Sequence, residues 1–174
     1  MRIFIAINFE EKIKDYILSV QSKLKDISEC GNFSHKENFH MTLVFIGETE
    51  QGKLKAIYNA VDSIDHPATE FSLDRVGRFR RDGGDIWWIG VKDYDGVGEI
   101  QRELAEKLKS AGFNIEPRDF KPHLTLAREC IVEQGAKLPK VEPLTIKADR
   151  ISVMKSERIK GKLTYTEIYG KDLK

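Results

Sequence analysis

The stretch that most constrains this chain is residues 39–48, FHMTLVFIGE, because it returns in altered form at residues 120–128, FKPHLTLAR. Both copies contain His, any residue, Thr, Leu: His40-Met41-Thr42-Leu43 and His123-Leu124-Thr125-Leu126. Each sits in a run of β-branched and apolar residues, which predicts a strand. Side chains on a strand alternate between faces, so His40 and Thr42 share one face, roughly 6–7 Å apart along it. His123 and Thr125 do the same. Any fold for this chain must therefore hold two strands that each present an imidazole and a hydroxyl. If the strands lie side by side, all four groups meet in one cleft. With seven Thr in 174 residues, two such hits among four His arise by chance in roughly 1% of chains, and the shared Leu makes that rarer.

The rest of the chain supplies a frame for the repeat. Residues 2–9 read as a buried strand, short and nearly all apolar. From Glu10 to about Glu29 the period changes, with Ile13, Ile17, Val20, Leu24 and Ile27 on one helical stripe and Gly31-Asn32 ending it. A polar connection runs from Ser34 to Asn38, and the first His strand closes at Gly47. Leu54, Ile57, Val61 and Ile64 mark a second helix, stopped near His66-Pro67. Phe71 to Phe79 is a strand whose alternation fails around Arg75–Gly77, the mark of a bulge. Asp82-Gly83-Gly84-Asp85 is a hairpin turn into the buried strand Ile86–Val91. Val97, Ile100, Leu104, Leu108 and Ala111 form a third helical stripe ended by Gly112. After the second His strand comes a loop with Gly135 and Pro139. Leu144 to Met154 and Leu163 to Tyr169 then read as one closing strand pair around Lys160-Gly161-Lys162. Strand, helix and His strand thus occur twice, at 2–9, 10–29 and 40–46, then at 86–91, 97–111 and 122–128. We read this as a duplicated unit: residues 1–174 as one domain, two lobes meeting at a cleft.

Composition narrows the function. A chain of 174 residues with 40% hydrophobic and 33% charged residues is of globular type and can bury a real core. Its formal net charge of +1 is too small for a protein that grips long nucleic acid through many phosphates, which points to an end or a short piece. Cys30 and Cys130 suit neither a disulfide framework nor a metal site, and a reducing cytoplasm is expected. The opening Ile3–Ile7 run is too short for a signal segment or a span, so no membrane is expected. No ligand-spaced cluster, HExxH, GxSxG or GxxxxGK[ST] pattern is present, so neither metal nor cofactor is called for.

Imidazole titrates near neutrality, so one His can donate a proton while another accepts one. In-line displacement at phosphorus needs such a pair on opposite sides, and Thr hydroxyls can bind the non-bridging oxygens. A lone strand His is more often structural than catalytic. Two in matching registers, each with Thr, favour catalysis. His35 reads as a surface or hinge residue and His66 as a helix-end residue. Of the adjacent Trp87 and Trp88, at least one belongs in the core. The Lys155–Lys162 cluster reads as a solvated loop that could also reach an oligonucleotide backbone.

These motifs together resemble the 2H phosphoesterase superfamily, and within it the RNA 2′,3′-cyclic phosphodiesterases, once named 2′-5′ RNA ligases. The likeness runs over nearly the whole chain, through MRIFIAI, ENFHMTLVFIGE, IWWIGV with Trp88 in the matching place, FKPHLTLAR, and the Ser-to-Gly-to-Tyr spacing of Ser156 to Tyr169. It implies an α+β fold, bilobal and duplicated, with two antiparallel β-sheets flanking a central cleft and helices on the outside. It further implies metal-independent hydrolysis of a 2′,3′-cyclic phosphate on RNA to a 2′-phosphate. His40 would be the proton donor, His123 the proton acceptor, and Thr42 and Thr125 ligands of the phosphate. Arg128, matching the Arg that follows the family's second motif, would help hold the nucleotide, although strict alternation puts it on the opposite face from His123 and Thr125. Expected partners are RNA 3′ ends or nucleotides bearing a 2′,3′-cyclic phosphate, and a monomer is expected. Two alternatives are RNA 2′-5′ ligation by the reverse reaction and RNA-end binding without turnover, against which the intact His40 and His123 argue.

Overall fold

The computed structural model describes all 174 residues, folded into nine strands and three helices. The apolar opening forms β1 (Arg2–Asn8), whose five central residues are all buried. A strand covered on both faces has no use for alternation, which is why this one reads as a continuous apolar run. The amphipathic stripe after it forms α1 (Glu11–Asp26), which buries Ile13, Ile17, Val20 and Leu24. Here the chain departs from the sequence reading. The helix stops at Asp26, and Ser28–Phe33, read as the helix end and its turn, forms an edge strand, β2. Its sequence SECGNF carries little strand propensity; the strand exists because it pairs along β6 (His123–Val132).

The remaining elements follow expectation closely. They are β3 (His40–Glu48), α2 (Leu54–Asp62), β4 (Thr69–Phe79), β5 (Asp85–Lys92) and α3 (Asp95–Ser110). The register of β4 against β5 shifts between Leu73 and Val76, next to the bulge expected at Arg75–Gly77. In the turn between them, Gly83 and Gly84 have φ of 79° and 129°. A Cβ on Gly84 would also stand only 2.5 Å from the carbonyl carbon of Glu129.

The closing segment is divided more finely than expected. Residues 144–154 read as one strand, but Asp149 separates β7 (Thr145–Ala148) from β8 (Arg150–Ile159). β7 edges one sheet against β4 and β8 lies in the other against β1. The phase of the alternation changes here, from Ile146 and Ala148 to Ile151 and Val153 across the adjacent polar pair Asp149-Arg150, so the sequence does carry a mark of this break. β9 (Lys162–Asp172) then returns along β8 as a long hairpin. Lys155–Lys162 is therefore not a solvated loop: all but its tip, Lys160-Gly161, is strand.

The architecture is α+β, with a four-stranded sheet β3-β1-β8-β9 and a five-stranded sheet β2-β6-β5-β4-β7. Every pairing in both is antiparallel. A core of 36 buried residues draws on both sheets and all three helices. The two motif strands hold equivalent places. His40 pairs with Asn8 and Thr42 with Ala6 of β1, while His123 pairs with Gly90 and Thr125 with Trp88 of β5.

Candidate active site

His40, Thr42, His123, Thr125 and Arg128 all line one cleft of about 270 Å³ between the two sheets. The sequence predicted the first four from alternation alone, and burial follows that pattern. Met41 and Leu43 are buried behind His40 and Thr42, as Leu124 and Leu126 are behind His123 and Thr125.

Arg128 reaches the cleft by a departure from alternation. Trp88 pairs with Thr125 and Trp87 with Ala127, so one residue of β5 is matched by two steps of β6. Such a bulge reverses the parity beyond it. Leu126 and Ala127 are consecutive buried residues, and Arg128 emerges on the same side as Thr125. The first motif has the same device. Ala6 pairs with Thr42 and Ile5 with Val44, Leu43 and Val44 are both buried, and Phe45 turns into the cleft. Phe45 thus occupies in the first strand the place of Arg128 in the second. It is 51% exposed and lies beneath the guanidinium of Arg2, 5.1 Å from the ring centroid.

Both imidazoles are held by their inner nitrogens. His40 Nδ1 donates to the Asn38 carbonyl at 2.7 Å and His123 Nδ1 donates to the Lys121 carbonyl at 2.6 Å. A carbonyl only accepts, so each neutral ring carries its proton on Nδ1 and leaves Nε2 basic. Thr42 Oγ1 donates to His40 Nε2 at 2.9 Å. Aromatic rings fix the imidazole planes. Phe4 and Tyr165 flank His40 at centroid distances of 4.9 and 5.2 Å, and Phe79 meets His123 edge-on at 5.0 Å. Trp88 also lies near His123, at 6.2 Å, and its indole covers Gly77 so closely that a Cβ there would come within 2.3 Å. Trp87 points the other way into the core, as adjacent strand residues must.

Burial lowers the pKa of both histidines from the ordinary value. For His40 the drop reaches about 4; desolvation leads, the Asn38 hydrogen bond opposes it, and the charges of His123, Arg128 and Lys14 add to it. His123 is lowered in the same way, by burial first and then by Arg128 and Arg118, against its bond to Lys121. Desolvation also raises the Tyr165 hydroxyl. Four cationic side chains, Arg2, Arg128, Arg158 and Lys162, line the cleft, and no Asp or Glu does. A chain with a net charge of only +1 thus gathers positive potential at one place, which attracts an anion. No three His, Cys, Asp or Glu side chains converge anywhere in the structure.

The sequence missed several cleft residues. His35, read as a surface or hinge residue, lies in the wall with Asn32, Phe33 and Ser34, all brought there by the unforeseen β2 and its exit. His66, read as a helix-end residue, lies beyond the end of α2 at Asp62, in the connection to β4, hydrogen-bonded to Glu99 at 2.9 Å and outside the cleft. The cleft tyrosine is Tyr165; Tyr169 stacks on Tyr58 and donates to Asp62 outside it. Asn38 joins His40 to the hairpin, since its side-chain amide donates to the Leu163 carbonyl at 2.9 Å. Counting two residues back from His40 would have found Asn38, but nothing in the sequence says what its amide meets. A larger hollow of about 500 Å³, by Arg78, Trp87 and the 132–138 loop, holds neither His nor Thr.

Known proteins share this architecture. The chain is 37% identical over 141 residues to the RNA 2′,3′-cyclic phosphodiesterase of Methanocaldococcus jannaschii, covering 79% of this chain and 77% of the relative. It is 29% identical over 182 residues to the enzyme of the same name from Methanothermobacter thermautotrophicus, covering 97% and 96% of the two chains. The crystal structure of E. coli LigT in apo form superposes with a TM-score of 0.86 at 24% identity, over 99% of this chain and 96% of that one, which establishes the fold. The family model of the 2′-5′ RNA ligase superfamily matches residues 20–160. The likeness to the 2H phosphoesterases carried by the two His-x-Thr strands therefore holds, and the chain belongs to the 2′-5′ RNA ligase superfamily.

Proposed function

We propose that this protein hydrolyses 2′,3′-cyclic phosphate ends of RNA to 2′-phosphomonoesters, with two histidines as its acid and base. One observation carries the reading: two imidazoles, each held by Nδ1 on a backbone carbonyl, line a single acid-free, cation-lined cleft. The names of the relatives support the substrate class. In the proposed mechanism a phosphodiester sits between the rings. His123, neutral near pH 7, takes a proton from water as it attacks phosphorus, and the 3′-oxygen leaves on the opposite side. His40, protonated in the complex, gives that oxygen its proton, and the 2′-ester bond stays intact. Thr42, Thr125 and Arg128 donate to the non-bridging oxygens, where charge builds. The reaction needs nothing beyond water and these side chains, and it acts within one domain of two pseudo-symmetric lobes.

The test is a short RNA ending in a 2′,3′-cyclic phosphate, its product read by phosphorus NMR. Alanine at His40 or His123 is expected to cost about 10²–10⁴-fold in rate, and Val at Thr42 or Thr125 roughly 10–10³-fold. Near-wild-type rates in either histidine variant, or a 3′-phosphate product, would overturn the mechanism.

A further inference from the structure

The bulge that delivers Arg128 is held by a residue outside the cleft. Gln21 lies on α1 and is only 6% exposed, in a helix whose other buried positions are apolar. Its side-chain nitrogen donates to two backbone carbonyls at once, Ser34 at 2.9 Å and Leu126 at 2.9 Å. Two converging acceptors fix which way the amide faces, because its oxygen could bond neither. Leu126 is the extra residue of the bulge. Its carbonyl takes one further hydrogen bond, from the Ser34 amide at 3.0 Å. A single glutamine amide therefore ties together β6 at its bulge and the end of β2, two segments that form one wall of the cleft.

We propose that Gln21 is a positioning residue: by pinning the Leu126 carbonyl it holds the bulge that turns Arg128 toward the substrate phosphate. The proposal rests on the reading of Arg128 as a phosphate ligand. Without the amide, the part-buried Ser34 carbonyl loses this donor and the Leu126 carbonyl keeps only the Ser34 amide, and buried acceptors left short of donors favour local rearrangement. Sliding out the bulge by one residue would satisfy the ladder and send Arg128 to the far face.

A double-mutant cycle on the full chain tests this, using KM and kcat for the cyclic-phosphate RNA and the affinity for inorganic sulfate. Arg128→Ala should raise KM roughly tenfold or more, the worth of one charge-assisted hydrogen bond. Gln21→Met keeps the length and removes both donors. It should raise KM and weaken sulfate binding in the same direction while kcat changes less. Gln21 and Arg128 act as one unit, so the double variant should bind no worse than Arg128→Ala alone. Gln21→Glu, of the same shape, sets carboxylate oxygens against both carbonyls and should raise KM at least as much, easing at acid pH relative to wild type as the carboxyl regains a proton. A lowered melting temperature with KM unchanged, or effects that add in the double variant, would leave Gln21 a stabilising residue only and overturn the proposal. If Arg128→Ala itself leaves KM and sulfate affinity untouched, the reading of Arg128 fails and the proposal falls with it. Should Gln21→Met not fold, Gln21→Glu in the same cycle decides between the same outcomes.

Discussion

The free protein holds His40 in the wrong protonation state for the role proposed. With its pKa lowered to about 4, only about one ring in a thousand is protonated at pH 7. A proton donor acting there needs its pKa raised by roughly 3 units, which is about 4 kcal/mol. One negative charge about 4 Å from the ring supplies that amount at an effective dielectric of about 20. The bound phosphate would thus itself create the acid. Nδ1 is already committed to Asn38, so the incoming proton must go to Nε2, where Thr42 now donates. Binding would then be coupled to proton uptake at the nitrogen that the proposed mechanism sets toward the leaving oxygen. Sulfate, ionised throughout the range, isolates the effect from the ligand's own titration. Proton NMR titrations of the imidazole ring signals, assigned with His40→Gln and His123→Gln, should show the His40 pKa rising by about 2–3 units at saturating sulfate. A His40 value that stays near 4 with the anion bound would refute the assignment of His40 as donor. A rise confined to His123 would reverse the two roles.

The same burial makes stability depend on pH. The folded pKa of His40 lies below the ordinary histidine value of 6.5. Between the two the unfolded chain binds more protons, so stability should fall as pH drops from about 6.5 toward 4, by up to roughly 3 kcal/mol from this residue. Urea unfolding of wild type and His40→Gln at pH 7 and pH 5 should show a smaller loss in the variant, and equal losses would disprove this origin. If Arg158 in the cleft wall meets a flanking phosphate, Arg158→Ala should make the log–log salt slope of oligonucleotide binding shallower by about 0.7. An unchanged slope would remove Arg158 from the strand's path.

How much of this was legible depended on where each signal was written. The strands bearing His40 and His123 declared themselves, because hydrophobic alternation records which face is buried and each polar pair sits out of phase with it. The three helices showed in the same way through their apolar stripes. β2 did not, since SECGNF becomes a strand only by pairing with β6, and a partner chosen by tertiary contact leaves no mark in local composition. The break at Asp149 did leave a mark, since the buried positions change phase from Ile146 and Ala148 to Ile151 and Val153; that the two strands join different sheets is a matter of what lies beside them. Arg128 is the sharpest case. Parity placed it on the wrong face, and the bulge that corrects it rests on Gln21, a polar residue on an otherwise apolar stripe. A buried glutamine at such a position is a trace of some backbone group to be satisfied. Which carbonyl it serves, more than a hundred residues away, only the fold reveals.

The duplication also shows why the two halves of the cleft need not act alike. Both motif strands bulge one step past their Thr, and each then turns its next side chain inward. One copy delivers Phe45 and the other Arg128. The cation and the ring therefore break a symmetry that the two imidazoles and two hydroxyls would otherwise keep. The His40 side is further distinguished by Asn38, whose backbone holds the imidazole while its side chain holds β9 at Leu163. The neighbouring Glu37 pairs with Lys162 beside the tip of the same hairpin. His40 is thus tied to the β8–β9 hairpin, whereas the hydrogen bond that holds the His123 ring goes to the Lys121 carbonyl on its own segment. A ligand that pulls Lys162 toward a phosphate would loosen Glu37 and act on the turn that carries Asn38. A symmetric pair of motifs could bind a phosphodiester in either direction. These unequal neighbours give the cleft a direction, and direction is what separates an acid from a base when the two side chains are chemically the same.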